Sequence, residues 1–316
     1  MFALDKSIDF AKKKNDVLTI GELLVDMIAM DYNGSGKYQR YFGGAPANIA
    51  MNVKRLGGDS LIASAVGKDY MGDFLIDSLK ESSIDVSLVQ RVDESTSMVL
   101  LNRSNGTPTP IFYRAADCQL NYTDNIGMAL MDSKIMHFSS WSISKKPIRD
   151  TIKRLISIAK ESETLICFDP NYHEFLWGND EDGVCYMKSI IGKSDIVKPS
   201  EDDAARIFGV DSPKNQISKF LELGAKLVIM TLGKDGLIVA NEDEVFKYQT
   251  LANEVTDTTG AGDAFLAGFY TALVRGYSIK DAVVLGSATS AYKLKYVGAV
   301  VDLPNLEELK NIYQLY

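Results

Sequence analysis

The chain has 316 residues and a formal net charge of -8, a length that suits one large α/β domain with a small added element and a sizeable buried core. The acidic balance disfavours nucleic-acid binding, because modules that bind a phosphate backbone usually present a basic face. No apolar run reaches the roughly 18 residues of a membrane span, residues 1–16 lack a signal-peptide core, and three separated cysteines suggest neither disulfides nor zinc, so we expect a cytoplasmic protein without membrane contact.

Apolar β-type runs then alternate with helical patterns along the chain, which is typical of βαβ units. One predicted helix starts at Pro46 and stops before Gly57, and a second covers residues 151–159 with apolar i, i+3, i+4 spacing. The alternation predicts a single domain over residues 1–316, with a Rossmann-like doubly wound, mostly parallel sheet and helices on both faces. The predicted buried strands are short and apolar and cover residues 17–20, 60–66, 135–138, 165–168, 196–197 and 227–231.

Two regions interrupt this alternation with strand-like sequence and no helix between the strands. Residues 24–42 contain the turn Gly34-Ser35-Gly36, and residues 97–115 contain Asn105-Gly106. Such residues supply the positive φ angles of tight turns. We therefore predict two hairpins that pair into a small β-sheet projecting from the main body.

Residues 257–263, DTTGAGD, join a turn of small residues to an apolar helical run. Gly260 and Gly262 permit close approach of the backbone, and the free N–H groups around Ala261 at the helix start favour a phosphate. Asp263, in the first helical turn, can accept the proton of an attacking hydroxyl as a general base. An isolated Asp at this position is more often a helix cap or dipole partner. The seven-residue pattern favours phosphoryl transfer.

This segment resembles the second signature of the ribokinase/PfkB sugar kinases. Residues 43–48, GGAPAN, resemble the first signature, and this motif is similar to the one found in fructokinases. Residues 21–26, 112–114, 168–177 and 231–236 fall in the family's order, so the resemblance covers nearly the whole chain. It implies a ribokinase-like fold in which the small sheet is a lid that closes over the sugar and excludes water. It also implies ATP as phosphoryl donor, with Mg²⁺ held mainly by the ATP phosphates. The exposed edge of such a lid predicts a homodimer through the lids.

On the sugar side, Asp26 and Asn48 are the predicted partners of sugar hydroxyls, because a carboxylate or carboxamide can bridge two neighbouring hydroxyls. We expect Asp26 just after the first strand, where open α/β sheets place ligands, and the Gly43-Gly44 backbone against the sugar. Arg114 resembles a position that reaches from the lid toward the substrate. The alternatives are a solvent-facing turn acid for Asp26, an ordinary first-turn residue for Asn48 and an exposed strand cation for Arg114.

On the nucleotide side, no Walker A motif occurs in the sequence, which leaves Gly260 to Asp263 as the anion site. Thr231, Gly233 and Gly236 resemble the family's nucleotide-binding turn, although a plain hairpin turn explains them equally well. Ser287 falls where the family lines the adenine pocket.

The resemblance also implies a second cation. Asp257 and Thr259 resemble positions whose backbone oxygens bind a monovalent ion in relatives, which predicts activation by K⁺.

Two segments depart from the family pattern. Residues 198–203, KPSEDD, begin with Lys198, which we assign to the nucleotide side, but carry Ser200 and Asp203 where relatives read Asn-x-x-Glu. A capped helix start explains this segment equally well. His173 stands where fructokinases commonly have Arg, which puts a phosphate contact there in doubt.

The predicted activity is transfer of the ATP γ-phosphate to a primary hydroxyl of a monosaccharide, with D-fructose the favoured acceptor. The alternatives are 2-keto-3-deoxygluconate, followed by ribose and nucleosides. A sugar-binding regulatory protein that has lost turnover on the same fold is the alternative from another class of function.

Overall fold

The computed structural model describes residues 2–30, 36–102, 110–178 and 182–315. The strands are β1 (Asn15–Ile20), β2 (Leu24–Ala29), β3 (Tyr38–Gly43), β4 (Ser60–Gly67), β5 (Val89–Val92), β6 (Met98–Leu101), β7 (Ile111–Tyr113), β8 (Ser133–Ser139), β9 (Leu165–Asp169), β10 (Ile196–Val197), β11 (Leu227–Thr231), β12 (Leu237–Ala240) and β13 (Val245–Tyr248). The helices are α1 (Ala45–Arg55), α2 (Tyr70–Glu81), α3 (Asp124–Met131), α4 (Ser140–Ile143), α5 (Ile148–Glu161), α6 (Gly183–Ile191), α7 (Glu201–Phe208), α8 (Pro213–Glu222), α9 (Ala261–Val274), α10 (Ile279–Lys293) and α11 (Leu306–Tyr313).

Nine strands form one sheet in the order β13-β12-β11-β10-β9-β8-β1-β4-β5. The pairs from β11 through to β5 are parallel, and β12 and β13 add antiparallel strands at one edge. Neighbouring residues of β1 point to opposite faces, so Leu18 lies in one hydrophobic cluster and Val17 in another. Because both faces of the sheet are covered, most of the central residues of the parallel strands are apolar, and the predicted doubly wound sheet is confirmed.

The small sheet has four strands in the order β3-β2-β6-β7. The pairs β2–β3 and β6–β7 are antiparallel, as predicted for two hairpins, while β2 and β6 join the hairpins in parallel. The structure does not describe residues 31–35 and 103–109. The predicted turn residues Gly34, Ser35, Asn105 and Gly106 therefore lie outside the described residues. The small sheet itself is confirmed.

Helix α9 is apolar on all sides because it is enclosed. Ten of its residues are buried, and it packs against α1 and α10 on one side of the large sheet. Its start is set by Gly260, which takes a left-handed conformation (φ 71°) that other residues rarely adopt. A side-chain Cβ at Gly260 would also lie 2.7 Å from the Cα of Ala299, so two independent constraints require glycine there.

Among the helices in the described ranges, none combines the length and the apolar character that crossing a membrane requires.

Candidate active site

The N-terminus of α9 carries the carboxylate that the sequence singled out as a base. Asp263 lies in the first turn of the helix, directly after Gly260, Ala261 and Gly262. Its Oδ2 accepts a hydrogen bond from Nδ2 of Asn48 at 2.8 Å. The two sequence signatures, which are far apart in the chain, therefore meet at this one contact.

The surroundings of Asp263 shift its proton affinity. Burial raises the pKa of Asp263 to about 6, opposed by the hydrogen bond from Asn48, and the negative charge of Asp169 adds to the rise. The positive charges of Lys198 and Lys293 lower it again. A carboxylate with a pKa near the working pH is suited to accept a proton from a substrate hydroxyl.

A buried ion pair lies beside this helix start. Lys198 follows β10, and its Nζ lies 3.1 Å from Oδ2 of Asp169, at the end of β9. Burial opposes the charge on Lys198, but the carboxylates of Asp169 and Asp203 raise its pKa above the ordinary value. A Cβ placed on Gly262 would lie 3.3 Å from this ammonium. The free N–H groups at the start of α9 form what we call the anion site, and the ammonium of Lys198 lies beside them as a fixed positive charge.

The residues predicted for the sugar side lie at the start of the small sheet. Asp26 follows β1 closely in the chain and lies within β2, opposite Tyr41, inside the segment 24–42 that was predicted to form a hairpin. A Cβ at Gly43 would lie 2.5 Å from Oδ2 of Asp26, so glycine is required for this approach. Burial raises the pKa of Asp26 to about 7, and the charge of Asp263 adds to the rise. Asp26 and Asp263 therefore lie close enough for their charges to interact.

Sequence reasoning missed Glu22, a buried acid just before β2. Its Oε1 accepts a hydrogen bond from the backbone N–H of Ala45 at the start of α1, at 3.2 Å. Burial raises the pKa of Glu22 to about 8. Gly44 (φ 115°) passes so close that a Cβ there would lie 2.5 Å from the carbonyl oxygen of Glu22. The signal in the sequence that could have identified Glu22 is its position as an acidic residue between Gly21 and an apolar strand.

Arg114 does not reach into an open pocket as expected. Its side chain is 3% exposed, and Nε and Nη2 donate to Oδ2 of Asp117 at 2.9 and 2.7 Å. Nη2 also donates to the carbonyl of Trp141, and the guanidinium packs on the Trp141 ring. Asp117 is fully buried and also accepts from Ser97 and from Nε1 of Trp141. A carboxylate without access to water needs a charged partner, which explains this placement.

The predicted nucleotide residues line one cavity of about 460 Å³ next to the anion site. Of the five residues that the sequence assigned to the nucleotide side, all except Lys198 line this cavity, together with Ala261 and Gly262. The four are Thr231, Gly233, Gly236 and Ser287. The remaining wall is mostly apolar, which suits a flat base, and sequence reasoning missed its residues Val255, Phe265, Ser290, Ala291 and Leu294.

Residues 231–236 form a plain hairpin turn that also lines the cavity. Strands β11 and β12 pair as an antiparallel hairpin around this turn, so the plain hairpin is present. Gly233 and Gly236 take positive φ angles of 55° and 86° in it. The same turn forms one wall of the cavity.

The departures at residues 200–203 form a helix cap. Oγ of Ser200 accepts from the N–H of Asp203, and the Asp203 carboxylate accepts from the N–H and the hydroxyl of Ser200. Its other oxygen accepts from the N–H of Tyr172. Both oxygens of Asp203 are therefore engaged, which favours the structural interpretation of this segment.

The expected monovalent-cation residues are closely bonded to protein donors. Oδ1 of Asp257 accepts from the N–H and hydroxyl of Thr259, and Oδ2 accepts from the N–H of Gly298. The carbonyl oxygen of Asp257 accepts from Nζ of Lys293 at 2.7 Å. Over the described residues, no group of three or more His, Cys, Asp or Glu side chains is arranged to hold a metal ion.

A buried carboxylate at a glycine-lined helix start, a neighbouring ammonium and an adjoining cavity with apolar walls are typical of a phosphotransferase site on a doubly wound sheet. The family model described as pfkB family carbohydrate kinase matches residues 14–306. The chain belongs to this family, and it is a sugar kinase.

Among its relatives, the ATP-dependent 6-phosphofructokinase of Thermoanaerobacterium thermosaccharolyticum is 54% identical over 318 residues, 100% of this chain and 99% of the relative. The structure of Halothermothrix orenii fructokinase is 39% identical with a TM-score of 0.77, and the match covers 86% of this chain and 97% of that one. A double mutant of Vibrio cholerae fructokinase, in a form with fructose, ADP and potassium ion bound, is 27% identical with a TM-score of 0.83 over 95% and 99%. These relatives support ATP and a metal ion as cofactors in general.

Proposed function

We propose that this protein transfers the γ-phosphate of ATP to a primary hydroxyl of a fructose-type furanose, with D-fructose as the acceptor. The observation that carries the proposal is the buried Asp263 at the start of α9, held by Asn48 and with its pKa raised to about 6. Such a group can be ionised near neutral pH and still accept a proton readily.

In this mechanism Asp263 takes the proton of the acceptor hydroxyl. The hydroxyl oxygen bonds to the γ-phosphorus as the bond from that phosphorus to the ADP oxygen breaks, so ADP leaves with the electron pair. The N–H groups of the anion site and the ammonium of Lys198 balance the developing charge. Asp26 and Asn48 orient the sugar, and the small sheet excludes water as a competing acceptor.

Mg²⁺ fits this site through the nucleotide. Over the described residues no three or more His, Cys, Asp or Glu side chains are grouped to hold a metal ion, and Mg²⁺ in kinase sites is usually held by substrate phosphates, water and one or two carboxylates. When bound, it would neutralise charge on the ATP phosphates.

D-fructose as the acceptor is supported by the GGAPAN motif at residues 43–48 and by the fructokinase structures that resemble this chain. The described surroundings also favour an uncharged sugar. Arg114 is engaged by Asp117, and burial lowers the pKa of His173, with the charge of Arg206 adding to the effect.

Fructose 6-phosphate is the second candidate acceptor. The specific observation in its favour is the relative named a 6-phosphofructokinase, which is 54% identical over the whole chain. Its additional phosphate would require a cationic partner, since charge-assisted bonds from Arg or Lys are the usual means of holding it.

The test is ADP release from Mg-ATP with fructose, fructose 6-phosphate, 2-keto-3-deoxygluconate and ribose, with Asp263→Asn assayed alongside. We expect turnover with fructose, reduced by about 10² or more in the variant, with sugar binding by calorimetry retained. Asp281→Asn is the matched control, because Asp281 occupies the first turn of α10 as an exposed residue. Near-normal turnover in Asp263→Asn would remove the base assignment. Sugar binding without turnover for any acceptor would favour the regulatory alternative.

A cytoplasmic location and a homodimer complete the proposal. Cys118, Cys167 and Cys185 are free thiols, which suits a reducing compartment. Ile111 and Tyr113 are exposed on β7, at one edge of the small sheet, where a second subunit would cover them.

A further inference from the structure

Lys293 is a buried lysine at the end of α10 that the mechanism above does not use. Its residue is 0% exposed, and its Nζ donates to the carbonyl oxygen of Asp257 at 2.7 Å. That carbonyl is one of the two oxygens expected to bind a monovalent cation. A positive charge of the protein itself therefore already lies where the ion would be needed.

The other atoms of Asp257 also have protein partners. Its carboxylate accepts from Thr259 and Gly298, and its N–H donates to the carbonyl of Leu294. These contacts hold residues 257–259 against the segment that follows α10. An alkali ion requires several oxygens without competing donors, and the carbonyl oxygen of Asp257 already has the ammonium of Lys293 as its donor, so this oxygen is poorly suited to bind K⁺.

The position of Lys293 explains what a fixed charge would do there. Asp257 lies three residues before Gly260, and a Cβ on Gly260 would meet Ala299 in the segment that follows Lys293. The contact from Lys293 thus fixes the turn that leads into the anion site. Its charge also acts on Asp263, whose carboxylate it stabilises. Burial lowers the pKa of Lys293, and the carboxylates of Asp257 and Asp263 oppose that loss of charge.

We propose that the ammonium of Lys293 replaces the monovalent cation at the turn before α9, so that this kinase does not require K⁺. The inference rests on the proposed role of the anion site and is an alternative to the expected activation by K⁺. A tethered cation is always present, whereas a free ion binds only as its concentration allows.

The experiment compares kcat in K⁺ and in tetramethylammonium at equal ionic strength, with whichever sugar of the panel is phosphorylated. For the natural chain we expect the two rates to agree within about twofold, because the charge is covalently attached. For Lys293→Met we expect kcat in tetramethylammonium to fall at least about tenfold, and K⁺ to restore it several-fold by entering the vacated position.

A thermal-unfolding measurement separates this inference from the proposed function. We expect K⁺ to raise the Tm of Lys293→Met and to leave the Tm of the natural chain unchanged, whether or not a sugar acceptor has been found. Lys295→Met is the matched control, since Lys295 lies two residues further on and packs near the Tyr313 ring; it should behave as the natural chain does.

Activation of the natural chain by K⁺ of about tenfold, or a K⁺-dependent rise in its Tm, would overturn the inference. So would a folded Lys293→Met variant with unchanged kcat and no response to K⁺. Should that variant not fold, the two measurements on the natural chain still decide the question.

Discussion

At the scale of single residues, the site separates two nearby carboxylates by their environments. Burial raises the pKa of Asp263 to about 6 and that of Asp26 to about 7. Near neutral pH Asp263 can therefore be ionised and act as a base, while the higher pKa of Asp26 favours its protonated form more, in which it can donate to a sugar oxygen.

This arrangement predicts the pH dependence of the reaction. Because the raised pKa means that the base form of Asp263 is lost as the pH falls through about 6, we expect kcat/KM to decline below that pH. Asn48→Ala removes a hydrogen bond that favours the ionised form, so the midpoint of the decline should move to higher pH. The measurement is a profile of kcat/KM against pH.

Asn52→Ala is the control for this shift, since Asn52 lies one turn further along α1 and its side chain has no hydrogen-bond partner among the described residues. An unchanged or lower midpoint in Asn48→Ala would contradict the assignment of Asp263.

Residue types were easier to predict than residue contacts. Asp263, Asn48 and the glycines were identified because their order along the chain is a pattern. The burial of Arg114 was not predictable, because it depends on Asp117 and Trp141, and only tertiary structure brings that ring over the guanidinium.

At the scale of elements, helix ends determine the shape of the site. Helix α9 begins at a left-handed glycine, and α7 begins at the capping box of Ser200 and Asp203. Asp203 also accepts from the N–H of Tyr172, which connects the start of α7 to the loop after β9. The cap therefore stabilises two connections at the same edge of the sheet.

The capping interpretation predicts a loss of stability without a loss of metal affinity. We expect Asp203→Ala to lower the free energy of unfolding by about 2 kcal/mol, and Ser200→Ala by about 1 kcal/mol. Urea denaturation followed by circular dichroism measures both. The Mg²⁺ concentration for half-maximal activity should stay unchanged in the folded variants. A large rise in that concentration for Asp203→Ala would instead show that Asp203 takes part in organising the metal.

At the scale of the whole molecule, the small sheet leaves one edge of apolar side chains in contact with water. Ile111 and Tyr113 on β7 are 47% and 54% exposed. Unpaired strand edges with apolar side chains are commonly covered by another chain. The homodimer stays a prediction, because the exposed edge shows where a second subunit could pack and does not show that one binds there.

We expect sedimentation equilibrium to give about twice the chain mass of 34.8 kDa. Tyr113→Lys should shift the protein toward the monomer by placing a charge at the proposed contact. Val210→Lys is the control, because Val210 is also exposed but lies after α7 on the main body. A natural chain that sediments as a monomer at high concentration would exclude the predicted dimer.

The hydrogen bond between Asn48 and Asp263 spans 215 positions of the chain, and its consequence appears during translation. The ribosome releases α1 and both hairpins of the small sheet long before α9 exists. Strand β1 then waits for β8 before it acquires its second neighbour. The contact between the two signatures therefore cannot form until α9 has been synthesised, so the site is completed only after most of the chain has left the ribosome.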